Sequence, residues 1–247
     1  WVGLKHFTNF ITSEYFWRLI RNTVVLSGLQ LILGFSVPII FALLLNEIKA
    51  IKLKKFIQTA SYLPHFISTV VVATMVLTLL DGEGLVNQIA AMLNLSPINY
   101  TTDPKVFPWV YVITNIWKSF GWNSIIYIAA ISGIDPTLYE SAKIDGANRF
   151  KQMLYITLPS ISGTIFVLLI FAIGSLLNAN SEFILLMYNP AIYETSDVIG
   201  TYSYRMGILG GQFSQTTAIG LFMQLINFIL LYVSNTASRK INGYSLW

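Results

Sequence analysis

The chain has 247 residues, of which 55% are hydrophobic and 11% charged, with a net formal charge of +4 and a mean hydropathy of +0.64. A soluble domain carries about 25% charged residues, so these side chains could not cover a water-facing surface, and the class is a polytopic, all-α membrane helix bundle. Cysteine is absent, which excludes a disulfide framework and a thiolate metal site; the basic residues flank apolar segments, which is membrane topology rather than a nucleic-acid footprint.

Residues 1–16 are aromatic and amphipathic but too short to span, and are expected at the interface with Trp1, Phe7, Phe10, Phe16 and Trp17 at headgroup depth. A first spanning helix is expected over residues 18–46, kinked at Pro38. Residues 46–55 hold Lys49, Lys52, Lys54 and Lys55 in a short loop, which the positive-inside rule places in the cytoplasm. A second helix is expected over 57–80, with His65 beside Pro64 near its start. Residues 81–105 read as an outside connection: a turn at Asp81–Gly84, an amphipathic helical piece over 85–93, then loop at Pro97 and Pro104.

The third helix, 106–132, carries Asn115, Trp117, Lys118 and Asn123; a lysine at that depth costs about 2.5–3.5 kcal/mol and should face protein, water or a headgroup. A fourth helix over 161–177 leads into Asn178, Asn180 and Glu182, and 183–215 reads as irregular. The fifth helix, 216–233, places Gln224 and Asn227 on one face, with Asn235 beyond it and Arg239 and Lys240 in an inside tail. No Asp or Glu falls well inside a span; Glu182 lies at a helix end.

Residues 134–160 form a polar island between apolar runs. Asp135 can cap free N–H groups and Pro136 suits a first helical position, so a short helix to Ile144 is expected. Gly146 then supplies a sharp turn, and a second short helix is expected over 147–155. Taken alone, such a helix–turn–helix knob is either a solvated connection or a docking element. Within it Glu140, Ala142, Asp145, Gly146, Ala147, Leu158 and Pro159 match the E-x-A-x-x-D-G-A…L-P signature of inner-membrane permease subunits of ATP-binding-cassette (ABC) importers, which this chain resembles over essentially its whole length. Ser141 stands where that pattern usually has alanine. The stretches EFILLMYNP (182–190), SDVIGTYSYRMG (196–207), TAIGLF (217–222) and the final YSLW resemble the branch importing complex carbohydrates.

The resemblance implies a type I ABC importer transmembrane fold across residues 1–247, with five of six spanning helices present and a preceding helix missing. It implies a multi-pass protein of a prokaryotic cell membrane that pairs with a second homologous permease subunit, two cytoplasmic ATPase subunits and an extracellular solute-binding protein, and translocates an oligo- or polysaccharide. It makes Glu140, Ser141, Ala142, Lys143, Asp145, Gly146, Ala147, Asn148 and Arg149 the ATPase-coupling element, with Glu140 meeting a basic group. No GxxxxGK[ST] phosphate loop occurs, so the chain is expected to bind no cofactor and to leave ATP and magnesium to its ATPase partners. Candidates for the sugar pathway are Asn115, Trp117, Lys118, Asn123, Asn178, Glu182, Gln224 and Asn227, each of which could instead be helix-packing glue. Tyr202, Tyr204 and Arg205 are candidates for meeting the binding protein or incoming substrate. A permease for peptides or amino acids is the alternative cargo reading. An ion-gradient transporter would want carboxylates inside the spans, and a membrane enzyme would want clustered histidines or carboxylates; the two histidines here stand apart.

Overall fold

The computed structural model describes residues 2–247, and among them there is no β-strand. Trp1, expected at headgroup depth, lies outside the described residues. Helix α1 (Lys5–Ile11) precedes α2 (Phe16–Asn46), which stays helical through Pro38. Helix α3 (Ile51–Tyr62) stops ahead of Pro64, which lacks an N–H; Leu63–Phe66 form a 3-10 turn, and the Ser68 hydroxyl then caps α4 (Thr69–Leu80) by accepting from the Val71 N–H at 3.3 Å. The single helix expected over 57–80 is therefore two, and Lys52, Lys54 and Lys55 lie on α3 rather than in a loop.

The helical piece expected over 85–93 is present in the connection after α4. It is α5 (Leu85–Met92), whose buried Asn87 donates to the carbonyls of Asp81 and Ile98, each at 3.1 Å, and accepts from the Ile98 N–H at 3.1 Å. Helix α6 (Phe107–Ser132) agrees closely with the third expected span. Next come α7 (Pro136–Ile144), α8 (Arg149–Gln152), a π turn over Met153–Thr157, α9 (Leu158–Ser160) and α10 (Ser162–Gly174). The segments Arg149–Ser160 and Ser162–Gly174 bend by 60° at the break between them, and α10 ends three residues before the expected Leu177.

Residues 183–215, expected to be irregular, are largely helical: α11 (Ser181–Met187), a 3-10 turn Pro190–Ile192, α12 (Tyr193–Ser196), α13 (Ile199–Tyr204) and a π turn Arg205–Leu209. The final helix, α14 (Phe213–Asn242), is longer than expected at both ends and includes Asn235, Arg239 and Lys240.

By length and composition, three segments can cross a membrane (Phe16–Asn46, Thr69–Met92 and Phe213–Ile241), and four if the bent pair counts as one span. Helix α6, at 26 residues and about 39 Å, also exceeds a ~30 Å hydrocarbon core, but Asn115, Lys118 and Asn123 lower its hydropathy. Of the five expected spans, the first and fifth are met on both criteria, the fourth by the bent pair and the third on length alone; the second, expected over 57–80, is shifted, because the apolar segment of sufficient length is Thr69–Met92, α4 together with α5.

Packing divides the chain into two compact units. The first comprises residues up to Gln30, Ile67–Asn115 and Ser175–Ile229; its core gathers Phe10, Leu19, Ile199, Tyr202 and Ile219, with the Phe10 and Phe16 rings edge-to-face at 5.2 Å. Phe10, expected at headgroup depth, is instead 1% exposed, whereas Trp17 remains exposed. The second unit comprises Leu31–Phe66, Ile116–Gly174 and Leu230–Trp247, around Ala42, Leu43, Tyr127, Ile131 and Ile161. Here α3 and α6 approach so closely that a Cβ on Gly121 would run into the Ser61 carbonyl, a small-residue contact of the kind that lets membrane helices meet. Gly121→Leu is expected to destabilise the chain by about 1–3 kcal/mol, read as a lowered thermal midpoint in detergent. Gly28→Leu, at an open position on α2, should leave that midpoint nearly unchanged.

Candidate functional site: the loop of residues 134–160

The polar island folds as a capped helix, a glycine turn and a second capped helix. The Asp135 carboxylate accepts from the Thr137 N–H at 2.9 Å, with Pro136 at the first helical position of α7. That hydrogen bond holds the Asp135 carboxyl below the usual carboxylate range. The cap is therefore complete above that range, including neutral pH, and is lost only as pH falls through the lowered value.

Helix α7 ends in a double turn. The Ala147 N–H donates to the Ala142 carbonyl at 2.8 Å and the Gly146 N–H to the Lys143 carbonyl at 3.1 Å, a Schellman arrangement. It requires a left-handed residue, and Gly146 supplies it with φ +76. Asn148 then caps α8 by accepting from the Lys151 N–H at 2.9 Å. The second arm is tied to the turn, where the Gln152 amide donates to the Ala147 carbonyl at 2.7 Å, and to the first arm, where the Tyr139 hydroxyl and Thr157 Oγ1 lie 2.9 Å apart. The second arm does not stop at Tyr155 as expected, but continues through the π turn into α9.

The result is a fixed knob whose outer face is free. Glu140, Ser141, Lys143, Asp145, Gly146, Asn148 and Arg149 are exposed, and Ala142 and Ala147 half-buried. Apolar groups share that surface, with Ile144 at 87% and Phe150 at 63% exposure.

The pathway candidates fall in both units. In the first unit, Asn227 is 3% exposed; its Oδ1 accepts from the Leu177 N–H at 3.1 Å and its Nδ2 donates to Asn178 Oδ1 at 3.2 Å. It therefore satisfies the chain where α10 gives way to the non-helical stretch before α11, which is packing work. Nearby, the Asn180 N–H donates to the Tyr111 hydroxyl at 3.0 Å, and its amide to Asn115 Oδ1 at 3.3 Å. Asn180 also caps α11, in whose first turn Glu182 stands exposed; Gln224 is exposed on α14. In the second unit, Asn123 lines a pocket of ≈ 160 Å³ with Phe35, Pro38 and Tyr127. Trp117 is exposed, Lys118 half-buried.

One polar centre was not legible in the sequence. Asp197 is fully buried in the first unit. Arg205 grips its carboxylate with both nitrogens at 2.8 and 2.9 Å, Arg18 adds a third contact at 2.9 Å, and the Thr201 hydroxyl donates to it at 2.9 Å. The Asn22 amide donates to the Asp197 carbonyl at 2.9 Å, and Thr23 Oγ1 accepts from the Ile199 N–H at 3.1 Å. Arg205 also lies over the Tyr193 ring at 5.0 Å. Tyr202 is buried beside Phe10, and only Tyr204 of the three outer candidates presents an exposed, unburied face.

Residues 34–242 match the family of binding-protein-dependent transport system inner membrane components. The chain belongs to this permease family. Among its relatives is the polygalacturonan/rhamnogalacturonan transport system permease protein YteP of Bacillus subtilis (strain 168), 43% identical over 97% of this permease and 75% of that protein. The protein LplB of the same strain is 40% identical over 100% of this permease and 78% of its own length. Among solved structures, a bacterial ABC transporter involved in the import of the acidic polysaccharide alginate superposes with a TM-score of 0.95 at 44% identity, covering 98% of this permease and 85% of that chain. A second structure of the alginate transporter, in complex with an alginate pentasaccharide-bound periplasmic protein, gives 0.95 at 43% identity. The expected fold class, the type I importer transmembrane fold, is thereby shown, and the chain is an inner-membrane transport subunit rather than an enzyme.

Proposed function

We propose that this permease carries an acidic oligo- or polysaccharide across the cell membrane of a bacterium, received from an extracellular solute-binding protein and driven by a separate ATPase. The cargo reading is supported by the relatives that transport polygalacturonan and alginate. Lys118 adds to it: it is the one charged residue of α6 and sits near the helix centre, where its cost is justified by a role such as meeting an anion. In this reading Asn115, Trp117, Lys118, Asn123, Asn178, Glu182 and Gln224 contribute to the pathway, while Asn227 braces it.

The coupling reading rests on the knob of residues 134–160. A rigid, doubly capped loop with an exposed mixed face is suited to sit in a cleft of a cytoplasmic ATPase dimer, with Glu140 meeting a basic group there. A second homologous permease subunit completes the pore, and ATP and magnesium are held by the ATPase subunits. Closure of the ATPase pair then moves the knob and, through α7 and α10, the helices.

The test is ATP-driven uptake of labelled galacturonate oligosaccharides by the reconstituted complex. Glu140→Ala is expected to lower uptake without loss of the permease from the membrane. Lys118→Met should raise the KM for the acidic oligosaccharide roughly 10-fold or more, the value of a lost charge-assisted hydrogen bond, and change a neutral one little. Uptake of peptides alone would contradict the cargo, and full uptake with Glu140→Ala would contradict the coupling role.

A further inference from the structure

A groove of ≈ 550 Å³ lies in the second unit between the end of α2 and the knob, lined by Glu47, Lys49, Tyr139, Lys143, Arg149 and Gln152 among others. Its volume falls in the ~300–1,000 Å³ range of small-ligand sites. Three cations face one carboxylate, Glu47, and among the described residues the ion pairs are those of Asp197, so Lys49, Lys143 and Arg149 are all uncommitted. The polar side chains around them are already fixed: Gln152 to the Ala147 carbonyl, Tyr139 to Thr157, Asn148 to the Lys151 N–H. A preformed cradle with a surplus of two positive charges suits a phosphate-type anion.

The neighbouring helix indicates where that anion comes from. Helix α3 carries Lys52, Lys54 and Lys55 beside Ile51, Leu53 and Phe56, which are 70%, 50% and 70% exposed. Basic groups alternating with uncovered apolar ones are the composition of a segment lying in a membrane interface. The depth agrees as well. Helix α2 has 31 residues, roughly 46 Å at 1.5 Å per residue, and a bilayer with its headgroups measures ≈ 40–45 Å. A helix spanning from one interface delivers Asn46, and the groove that begins there, to the headgroups of the other.

We infer that the Lys49–Lys143–Arg149 groove binds the phosphodiester headgroup of an anionic phospholipid, with its acyl chains along Leu53 and Phe56, which share a face of α3. Basic pockets on the cytoplasmic side of membrane helices bind such headgroups. The inference rests on the proposed orientation, with the knob in the cytoplasm. The bound headgroup joins the first loop to the knob, because Lys49 belongs to one and Lys143 and Arg149 to the other.

The experiment is native mass spectrometry of the purified transporter complex, ATPase subunits included, titrated with dioleoyl phosphatidylglycerol. Dioleoyl phosphatidylcholine is the control without net charge, and inorganic phosphate the competitor. Preferential retention of phosphatidylglycerol is expected, weakened about fivefold by Lys49→Gln and roughly 30-fold by Lys49→Gln with Arg149→Gln. Both residues are exposed, so the variants are expected to fold; Arg149 belongs to the coupling element, so Lys49→Gln, which lies outside it, is the variant that keeps a failure of the coupling reading separate. Equal retention of the two lipids, or retention unchanged in both variants, overturns the proposal. Displacement by phosphate at low concentration marks a free-anion site and also overturns it. Phosphatidylglycerol bound only after the ATPase subunits are stripped marks an acidic protein segment as the natural occupant, with the same consequence.

Discussion

Asp197→Asn is expected to cost this permease about 3 kcal/mol, at the lower end of the ~3–5 kcal/mol seen when one member of a buried ion pair is removed. The lower end applies because Asp197 is fully enclosed while Arg18 and Arg205 keep 35% and 25% of their side-chain exposure. The substitution retains the size of the side chain and its contact with Thr201, but leaves two guanidinium groups facing a neutral amide. For a chain of this size the loss corresponds to a thermal midpoint lower by roughly 6–12 °C, measurable in detergent. The contact ties residues 179 apart, so its loss should loosen α2 from α13 rather than unwind either helix. Adding Arg18→Met to Asp197→Asn should cost much less than the sum of the two single changes, because the pair acts as one unit; simple additivity would show that the ion pair is not what holds the two segments.

Gly146→Val is expected to abolish ATP-driven transport while the protein still inserts and accumulates. At φ +76 a non-glycine residue costs about 1–2 kcal/mol, and a β-branched one more. The cheapest escape is to lose the double turn that ends α7, which re-aims the knob. The exposed surroundings of Gly146 hold nothing within 4 Å of an added Cβ, so the penalty is conformational and not steric crowding. That predicts a graded series: Gly146→Asn retains most uptake because asparagine tolerates the left-handed region, Gly146→Ala retains less, and Gly146→Val retains none. Equal uptake across the series would show that the turn geometry does not matter to transport.

The elements legible in the sequence were those with local causes. Asp135–Pro136 fixed the start of α7 and Gly146 its end, because a cap and a left-handed turn involve neighbours within a few residues. The same reading should have found order in 181–209. Asn189 accepts from the Ala191 N–H at 3.0 Å ahead of Pro190, the arrangement already recognised at Asp135–Pro136, and Asn180 caps α11. The tyrosines and glycines around them obscured the signal, and the decisive contact, Asp197 with Arg18, is too distant in sequence to be seen from spacing. Pro64 was visible, yet the apolar run beyond it suggested one helix where the structure has a 3-10 turn and a fresh cap at Ser68. The end of α14 misled in the opposite sense. Asn235 read as lying beyond the span, but its Oδ1 accepts from the Leu246 N–H at 2.7 Å, and the neighbouring Ser234 and Thr236 hydroxyls bond back to carbonyls of their own helix. Polar residues satisfied in this way need not end a helix. For the pathway, side-chain type alone could not separate Asn227, buried and committed to Leu177 and Asn178, from Glu182 and Gln224, which stand exposed.

The central claim is that the exposed knob docks to an ATPase. The chain has no cysteine, so Ile144→Cys, at the most exposed apolar position of α7, introduces a single reactive thiol. Treating membranes of the assembled transporter with a short thiol-to-lysine crosslinker should join Ile144→Cys to an ATPase subunit, and a membrane-impermeant maleimide should label it only from the cytoplasmic side. A crosslink to the solute-binding protein, or labelling from outside, would contradict the account.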